Sequence, residues 1–291
     1  MSPGLPPRDI ALVILVCAVW ALNFLTSAYA LQELPPLLFT GLRMAVLALL
    51  LWPFLRLPQA GQWPRLLAIS LGLGVCHFGL SFWALHLAGD LSSLAILMQS
   101  YVPMAALLAW GLLGERIGRA SAAAIVVSFV GVLVLGFDPI VLDHPLAMAL
   151  MLGSALMLAL GTVLMRGLKG QTLWSQQGWL AILSVGPLLG LSALLEGPPL
   201  ANMALASSVG WGGVLYSALV SSLLGHGLYY LLVQRHPVAA VTPWLLLSPL
   251  MTIGLGVAVW GDRPGPSLWL GGAMVLGGVL AMALHSRLTF R

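Results

Sequence analysis

The chain has 291 residues, of which 60% are hydrophobic and only 7% are charged. A soluble domain averages about 25% charged residues, so this composition excludes a water-covered globule and predicts a protein that crosses a membrane several times. The net charge of +4 comes from single basic residues scattered between apolar runs, which argues against a nucleic-acid partner.

Ten apolar segments follow one another along the chain, separated by short connections rich in proline, glycine and charge. A helix needs about 20 mostly apolar residues to cross a bilayer, and each segment is near that length. We therefore predict an all-α integral membrane protein with ten transmembrane helices in a lipid bilayer. The predicted segments are 10–28, 36–55, 64–85, 91–113, 120–136, 146–165, 173–194, 209–233, 239–260 and 266–284.

The charges between these segments indicate the orientation of the chain. If both termini and the even-numbered loops lie on one side, that side holds nearly all of the basic residues, and the other side holds most of the acids. Basic loops are held in the cytoplasm during insertion. This division predicts a multi-pass protein of the cytoplasmic membrane with both termini in the cytoplasm. One missing or extra segment would scramble the division.

The fourth and ninth segments resemble each other. Each has polar groups and a proline at mid-span, and each ends in glycine, an acid and arginine. The acids are Glu115 and Asp262, so the two motifs lie 147 positions apart. Five segments separate equivalent positions, and because five is odd, the two halves have opposite orientation. We predict two inverted five-helix repeats, residues 1–140 and 141–291, an arrangement common in secondary transporters.

Polar and aromatic side chains lie at mid-span in several predicted helices, where an unsatisfied polar group costs a few kcal/mol. We expect them to line one substrate cavity that suits a zwitterion with a neutral side chain. The alternative is that the serines in particular serve helix packing. The expected substrate-binding residues are Trp20, Asn23, His77, Ser81, Met98, Gln99, Tyr101, Tyr216, Ser217, Trp244 and Ser248.

No aspartate or glutamate lies at mid-span, although carriers coupled to protons or sodium commonly place a carboxylate on the ion path. We therefore expect uniport or exchange without obligatory ion coupling. The histidines are dispersed and no HExxH motif occurs, so we expect no catalytic residue, no metal site and no cofactor. A membrane enzyme acting on a lipid-like substrate, and a receptor or scaffold, stand as alternative classes.

Five stretches have the order and spacing of a known family: WALNFL from Trp20, PPLLFTGLRMAVLALL from Pro35, LLGERIG from Leu112, WGDR from Trp260 and GGAMVLGGVLA from Gly271. In them the chain resembles the EamA-type drug/metabolite transporter superfamily. The resemblance implies ten helices in two inverted halves, and export of small metabolites across the inner membrane by alternating access. Within the superfamily the chain looks most like the bacterial aromatic amino acid exporters, which implies neutral amino acids as substrates. Another small solute or a drug is the alternative.

Arg43 is the one charge near mid-membrane. It is suited to hold a substrate carboxylate or to tie helix-end carbonyls together; because the resembling family shares an arginine here across diverse substrates, we favour the structural role. Glu115 and Asp262, each beside an arginine at a helix end, are expected to be structural charges too, although the family usually has glutamate at the second position. Pro103 and Pro249, at equivalent places in the halves, are candidate bending points for gating.

The fifth and tenth segments carry small residues at every fourth position and almost nothing polar at depth. We expect them to pack against their own half or against a second protomer, away from the substrate. A monomer or a weak homodimer is the expected state of the protein. The small residues are Ala120, Ala124 and Ser128 in the fifth segment and Ala273, Gly277 and Ala281 in the tenth.

Overall fold

A computed structural model of the chain describes the backbone of residues 5–236 and 238–289 and the side chains of residues 5–236 and 240–284. The side chains of Arg287 and Arg291, which count toward the charge asymmetry, lie outside these ranges. Within them the chain is helical and contains no strand, so the predicted all-α class is confirmed.

Nine helices in the described part of the chain are long and apolar enough to cross a membrane. A tenth helix is apolar but shorter, with 17 residues, and each of the ten overlaps one predicted segment. Two short helices, Pro139–Leu142 and Pro199–Leu205, lie in connections. The ten longer helices are α1 (Pro7–Ala30), α2 (Pro36–Phe54), α3 (Trp63–Ala88), α4 (Ser92–Leu113), α5 (Arg119–Leu135, the shorter one), α6 (Pro145–Met165), α7 (Leu173–Leu195), α8 (Ser208–Arg235), α9 (Ala240–Trp260) and α10 (Pro266–Leu284).

Proline and glycine set the ends of these helices. Pro36 and Pro145 stand at the first helical position of α2 and α6, where the missing N–H would have had no partner. Gly114 and Gly261 end α4 and α9 with φ of 69° and 92°, in the left-handed region that favours glycine. The two glycines belong to the repeated terminal motifs, so the repeat is visible in the backbone as well as in the sequence.

The most extensive helix pairs join the first half of the chain to the second. Helix α5 packs along α10, α2 along α7, and α3 along α6, while α1 contacts both α8 and α9 and α4 contacts α6. The largest apolar cluster likewise runs from Leu25 to Val275. The residue halves therefore share one interleaved core, which brings mid-span side chains of both halves together.

Helices α5 and α10 pack along each other across the halves, and α10 also contacts α9 of its own half. Ala124 and Ser128 of α5 are buried, and Ser128 Oγ donates to the carbonyl of Val275 at 3.5 Å. A Cβ on Gly131 would lie 2.7 Å from the carbonyl oxygen of Gly271, so the backbones meet closely there. Ala273, Gly277 and Ala281 are exposed instead, because an alanine- and glycine-rich helix has small residues on more than one face.

Four carboxylates at one end of the bundle cap helices that belong to the other half. Each accepts hydrogen bonds from backbone N–H groups in the first turn of a helix, where the donors are free and the helix dipole favours negative charge. The bonds run to Glu33 from Ser207 (2.8 Å) and Gly210 (3.1 Å), to Glu196 from Leu37 (2.7 Å) and Leu38 (3.0 Å), to Asp138 from Leu268 (2.9 Å), and to Asp262 from Leu91 (3.0 Å) and Ser92 (2.9 Å).

The opposite end of the bundle holds basic partners. His236 Nε2 lies 2.6 Å from Asp9 Oδ2, joining the end of α8 to the start of α1. Arg65 Nη1 donates to the carbonyl of Gly167 at 2.8 Å, joining the start of α3 to the end of α6. Arg166 pairs with Glu115 in an exposed contact. Successive helices thus begin at alternate ends of the bundle. Acidic side chains cap helices at one end, and basic side chains connect helices at the other.

Candidate functional site

Three of the described helices contain a π-helical segment, and the one in α9, Gly256–Trp260, lies at the end of its helix. The other two, Ser70–His77 in α3 and Tyr216–Gly225 in α8, lie near the middle of the bundle and occupy corresponding places in the two halves. A π segment shifts the backbone hydrogen bonds from i→i−4 to i→i−5 and is found frequently at functional sites. The segments were not predicted from sequence, because glycine- and serine-rich apolar helices carry no local signal for this geometry.

Arg43 of α2 is 2% exposed and reaches the π segment of α8. Its Nε and Nη2 both donate to Ser222 Oγ, at 3.2 and 2.8 Å. The Ser222 hydroxyl in turn donates to the carbonyl of Ser217 at 2.8 Å. The guanidinium carbon lies 4.0 Å from the centre of the Phe78 ring, a cation–π distance. The Phe82 ring lies 5.6 Å from the same carbon. Arg43 is thus held by one hydroxyl and two aromatic rings.

Trp20 of α1 lies against the same helix α8. Its Nε1 donates to the carbonyl of Ser221 at 3.4 Å, and its ring packs against the rings of His226 (5.3 Å) and Tyr229 (5.9 Å). A Cβ on Gly225 would lie 2.7 Å from Trp20 Nε1, so glycine leaves the space that the indole occupies. These contacts make Trp20 an aromatic wall between α1 and α8.

Tyr216 and Trp244 add to the contacts around α1. The Tyr216 hydroxyl donates to the carbonyl of Val19 at 3.2 Å. Trp244 of α9 belongs to the same apolar cluster as Trp20, and its carbonyl accepts from Cys17 Sγ at 3.5 Å. Predicted site residues of α1, α8 and α9 therefore lie together in one region.

His77 lies between α3 and α6, and its ring packs against that of Phe78 at 4.6 Å. Its Nδ1 is 2.8 Å from Ser154 Oγ, and that hydroxyl donates to the carbonyl of His77 at 2.9 Å. Because the only hydroxyl proton of Ser154 is used in that bond, Nδ1 carries the proton toward Ser154 and Nε2 is left as an acceptor. The buried His77 thus joins the two halves by a reciprocal pair of bonds. Ser154 was not singled out by sequence because one serine among apolar residues carries no distinguishing pattern.

Several buried polar atoms in the described residues have no hydrogen-bond partner. Such atoms are costly in an apolar interior, so each marks a place where a ligand or water would be stabilised. Those that lie at mid-span in the helices named above are Asn23 Oδ1, Arg43 Nη1, Ser70 Oγ, Ser100 Oγ and Ser217 Oγ.

Helices α4 and α9 are interrupted where the sequence places their prolines. Helix α4 breaks at Gln99 and Ser100, before Pro103, and α9 breaks at Leu246, before Pro249. Pro103 cannot donate to the carbonyl of Gln99, which accepts from Val102 N at 3.1 Å instead. The two prolines therefore stand beside matching breaks in the two halves.

The remaining predicted binding residues lie on α3, α4 and α9. Met98, Gln99, Tyr101 and Ser248 are half-buried, and Ser81 is buried. The carbonyl of Ser248 accepts from Thr252 Oγ1 at 3.0 Å. Among the described residues, the side chains of Gln99 and Tyr101 have no hydrogen-bond partner. They are therefore free to meet a solute.

Ser222 is one of the mid-span polar residues that cluster in the eighth segment of the sequence, but neither it nor Phe78 was among the expected binding residues, although both contact Arg43. Both follow a predicted residue closely, since Phe78 is next to His77 and Ser222 lies one π turn after Ser217. No three His, Cys, Asp or Glu side chains in the described ranges lie close enough together to hold a metal ion.

Comparisons with known proteins agree with this architecture. The family model described as the EamA-like transporter family matches residues 8–137 and again residues 145–284. One solved chain, described only as a crystal structure of a protein, superimposes with a TM-score of 0.64 at 18% identity, covering 99% of this chain and 100% of that one. This likeness concerns the fold alone.

Curated relatives cover nearly the whole chain. A "Probable amino-acid metabolite efflux pump" of Salmonella typhimurium is 29% identical over 289 residues, covering 95% of this chain and 93% of its own. A protein of the same name from Escherichia coli is 25% identical over 283 residues, covering 94% and 92%. The "Uncharacterized inner membrane transporter YedA" of Escherichia coli is 23% identical over 276 residues, covering 91% and 87%.

Proposed function

The chain belongs to the EamA-like transporter family, and on that premise we propose that it exports small neutral metabolites, namely neutral amino acids including the aromatic ones. The observation that carries the proposal is the buried pair of Arg43 and Ser222 with the half-buried Trp20 against the same helix, and with unpartnered polar atoms on neighbouring helices. Aromatic faces and hydrogen-bonding groups suit the side chain and the backbone of an amino acid. The names of two relatives, as amino-acid metabolite efflux pumps, point the same way.

The proposed topology is ten membrane spans in two inverted halves, residues 1–140 and 141–291, in the bacterial inner membrane. The two matches of the family model, at 8–137 and 145–284, support the division. The inner-membrane relative supports the location. The acidic and basic ends of the bundle support cytoplasmic termini, because basic residues stay in the cytoplasm. The face-to-face packing of α5 and α10 fits a monomer or a weak homodimer.

The proposed mechanism is alternating access. The helix breaks before Pro103 and Pro249 are the bending points that open one end while the other closes. None of the carboxylates in the described ranges, which hold all eight acids of the chain, lies in the middle of a span, so we expect uniport or exchange. Arg43 is the charge at depth and has no carboxylate partner for proton relay.

Flux in reconstituted vesicles tests this function. Proteoliposomes loaded with unlabelled L-phenylalanine should take up labelled L-phenylalanine and L-leucine by counterflow, and should exclude L-glutamate and L-lysine. Empty liposomes are the control. If the vesicles transported a cationic dye and showed no amino-acid counterflow, the proposal that amino acids are the substrates would be rejected. Accumulation of phenylalanine driven by an imposed pH gradient alone would reject uncoupled transport.

A further inference from the structure

Arg43 has spare hydrogen-bonding capacity. A guanidinium carries five N–H donors, and here Nε and one N–H of Nη2 converge on Ser222 Oγ. Nη1 is buried and has no partner within the described residues. Phe78 and Phe82 pack against the guanidinium, and neither ring offers an acceptor in its plane. The edge that includes Nη1 is therefore an empty donor site on a buried cation.

The positive charge of Arg43 also lacks an anion. All eight acids of the chain lie in the described ranges, and the ion pairs formed there use Asp9 and Glu115 only, with no carboxylate within 4.0 Å of the guanidinium. Buried charges in proteins are normally paired, and an ionisable residue inside a membrane marks a functional site by default. The missing anion is what a substrate would supply.

The geometry around Ser222 orients the arginine for such a partner. The Ser222 hydroxyl proton is committed to the carbonyl of Ser217, so its lone pairs face Arg43 and hold Nε and Nη2. In the described structure the guanidinium bonds no helix-end carbonyl, the contact expected of a structural tie. The Ser217 hydroxyl, on the same π segment, is also buried without a partner.

We propose that Arg43 binds the carboxylate of the transported amino acid through its Nη1 edge, with Ser222 as the positioning residue. This inference rests on the proposed function, whose substrate chemistry it makes specific. A carboxylate matches the planar donor edge of arginine better than any neutral group does. Nη1 has less than 1 Å² exposed, so a carboxylate reaches this edge only when the helices around Arg43 move apart during transport.

Three related probes test the proposal on the purified full chain: L-phenylalanine, L-phenylalaninamide, which lacks the carboxylate, and 3-phenylpropionate, which lacks the ammonium group. Dissociation constants are measured for the wild type, Arg43→Gln, Arg43→Lys and Ser222→Ala. The matched control is Arg56→Gln, which removes the same charge from an exposed position near the end of the same helix. We expect the wild type and Arg56→Gln to prefer phenylalanine over its amide by about tenfold or more, the scale of one charged hydrogen bond.

Arg43→Gln should abolish that preference, and Arg43→Lys and Ser222→Ala should reduce it. An equal loss of affinity for acid and amide in Arg43→Gln would mean a structural role and would overturn the proposal. If Arg43→Gln does not fold, an unchanged preference in both Arg43→Lys and Ser222→Ala overturns it as well.

The probes also separate this proposal from the proposed function. Suppose that the wild type carries out phenylalanine counterflow but binds phenylalanine and its amide equally well. Amino-acid export would then be supported, and the proposed carboxylate site on Arg43 would be rejected. Arginine-dependent binding of 3-phenylpropionate without binding of phenylalanine would keep the carboxylate site and reject amino-acid export.

Discussion

The carboxylate of Asp262 accepts a hydrogen bond from Ser92 Oγ at 2.6 Å and another from the backbone N–H of Ser92 at 2.9 Å. One side chain at the end of α9 thus satisfies the first turn of α4, 170 residues earlier in the chain. Asp138, Glu33 and Glu196 form the same kind of bond at the same end of the bundle. Asp262, which the sequence indicated as a structural charge at a helix end, therefore belongs to a set of acids that connect the two halves.

Replacing Asp262 with alanine should destabilise the protein. The change leaves two buried N–H groups of α4 and the Ser92 hydroxyl without an acceptor, so we expect a loss of about 1–3 kcal/mol. Thermal unfolding in detergent measures it. Asp143→Ala, which removes an exposed acid, is the control and should leave the melting temperature unchanged. An equal shift for both variants would contradict the capping role.

Asp90 should make stability depend on pH. Burial, opposed by hydrogen bonds from Ser93 and reinforced by the charge of Asp262, raises the pKa of Asp90 from 3.8 to about 6. The folded protein then binds this proton more tightly than the unfolded chain does, so the contribution of Asp90 to stability falls as pH rises from about 4 to 6. Asp90→Asn, which keeps an oxygen acceptor for Ser93, should flatten this slope in melting curves recorded across that range.

Glu33 titrates with the opposite sign and serves as an internal check. Hydrogen bonds from Ser207 lower the pKa of Glu33 below 4.5, so its contribution is present above that pH and is lost as the pH falls through the lowered value. Glu33→Gln should therefore lower the melting temperature most at neutral pH and remove the wild type's loss of stability at the acid end, where the two proteins converge. If Asp90→Asn and Glu33→Gln altered the same part of the profile, these assignments would be wrong.

The close contact of α5 with α10 should not tolerate a larger residue at Gly131. An added methyl group would lie 2.7 Å from the Gly271 carbonyl and 2.9 Å from the Val275 nitrogen, both of them backbone atoms that cannot move aside. We expect Gly131→Ala to cost about 1–3 kcal/mol. Gly277→Ala on the exposed face of α10, which meets nothing within 4 Å, should be neutral. Similar melting temperatures for the two variants would count against this packing.

Pro103→Ala should slow transport more than it weakens binding. Alanine restores an N–H that can bond to the Gln99 carbonyl and straighten α4, so the helix break that we propose as a bending point is lost. We expect the counterflow rate to fall severalfold, with little change in the dissociation constant of phenylalanine. Pro187→Ala, at an exposed proline inside α7, is the control. Equal losses of rate and affinity would remove the gating role.

The helices could be predicted from the sequence because their causes are local. A segment of about 20 apolar residues satisfies its own backbone only as a helix in a bilayer, whatever its neighbours are. Gly114 and Gly261 mark helix ends because glycine adopts positive φ at little cost. The repeat was visible for the same reason, since it consists of such local signals recurring at a constant distance.

Only the tertiary structure decided which side chains meet. Arg43 and Ser222 are 179 residues apart, and no periodicity within α2 or α8 indicates that a π turn directs the serine toward the arginine. Small residues lie on several faces of α10, so the sequence did not indicate which face packs against α5. The observed contact uses Gly271 and Gly278, while Ala273 is exposed. The physical reason is the apolar surroundings: hydropathy determines that a helix enters the membrane, but shape and a few polar bonds determine how it is rotated against its neighbours.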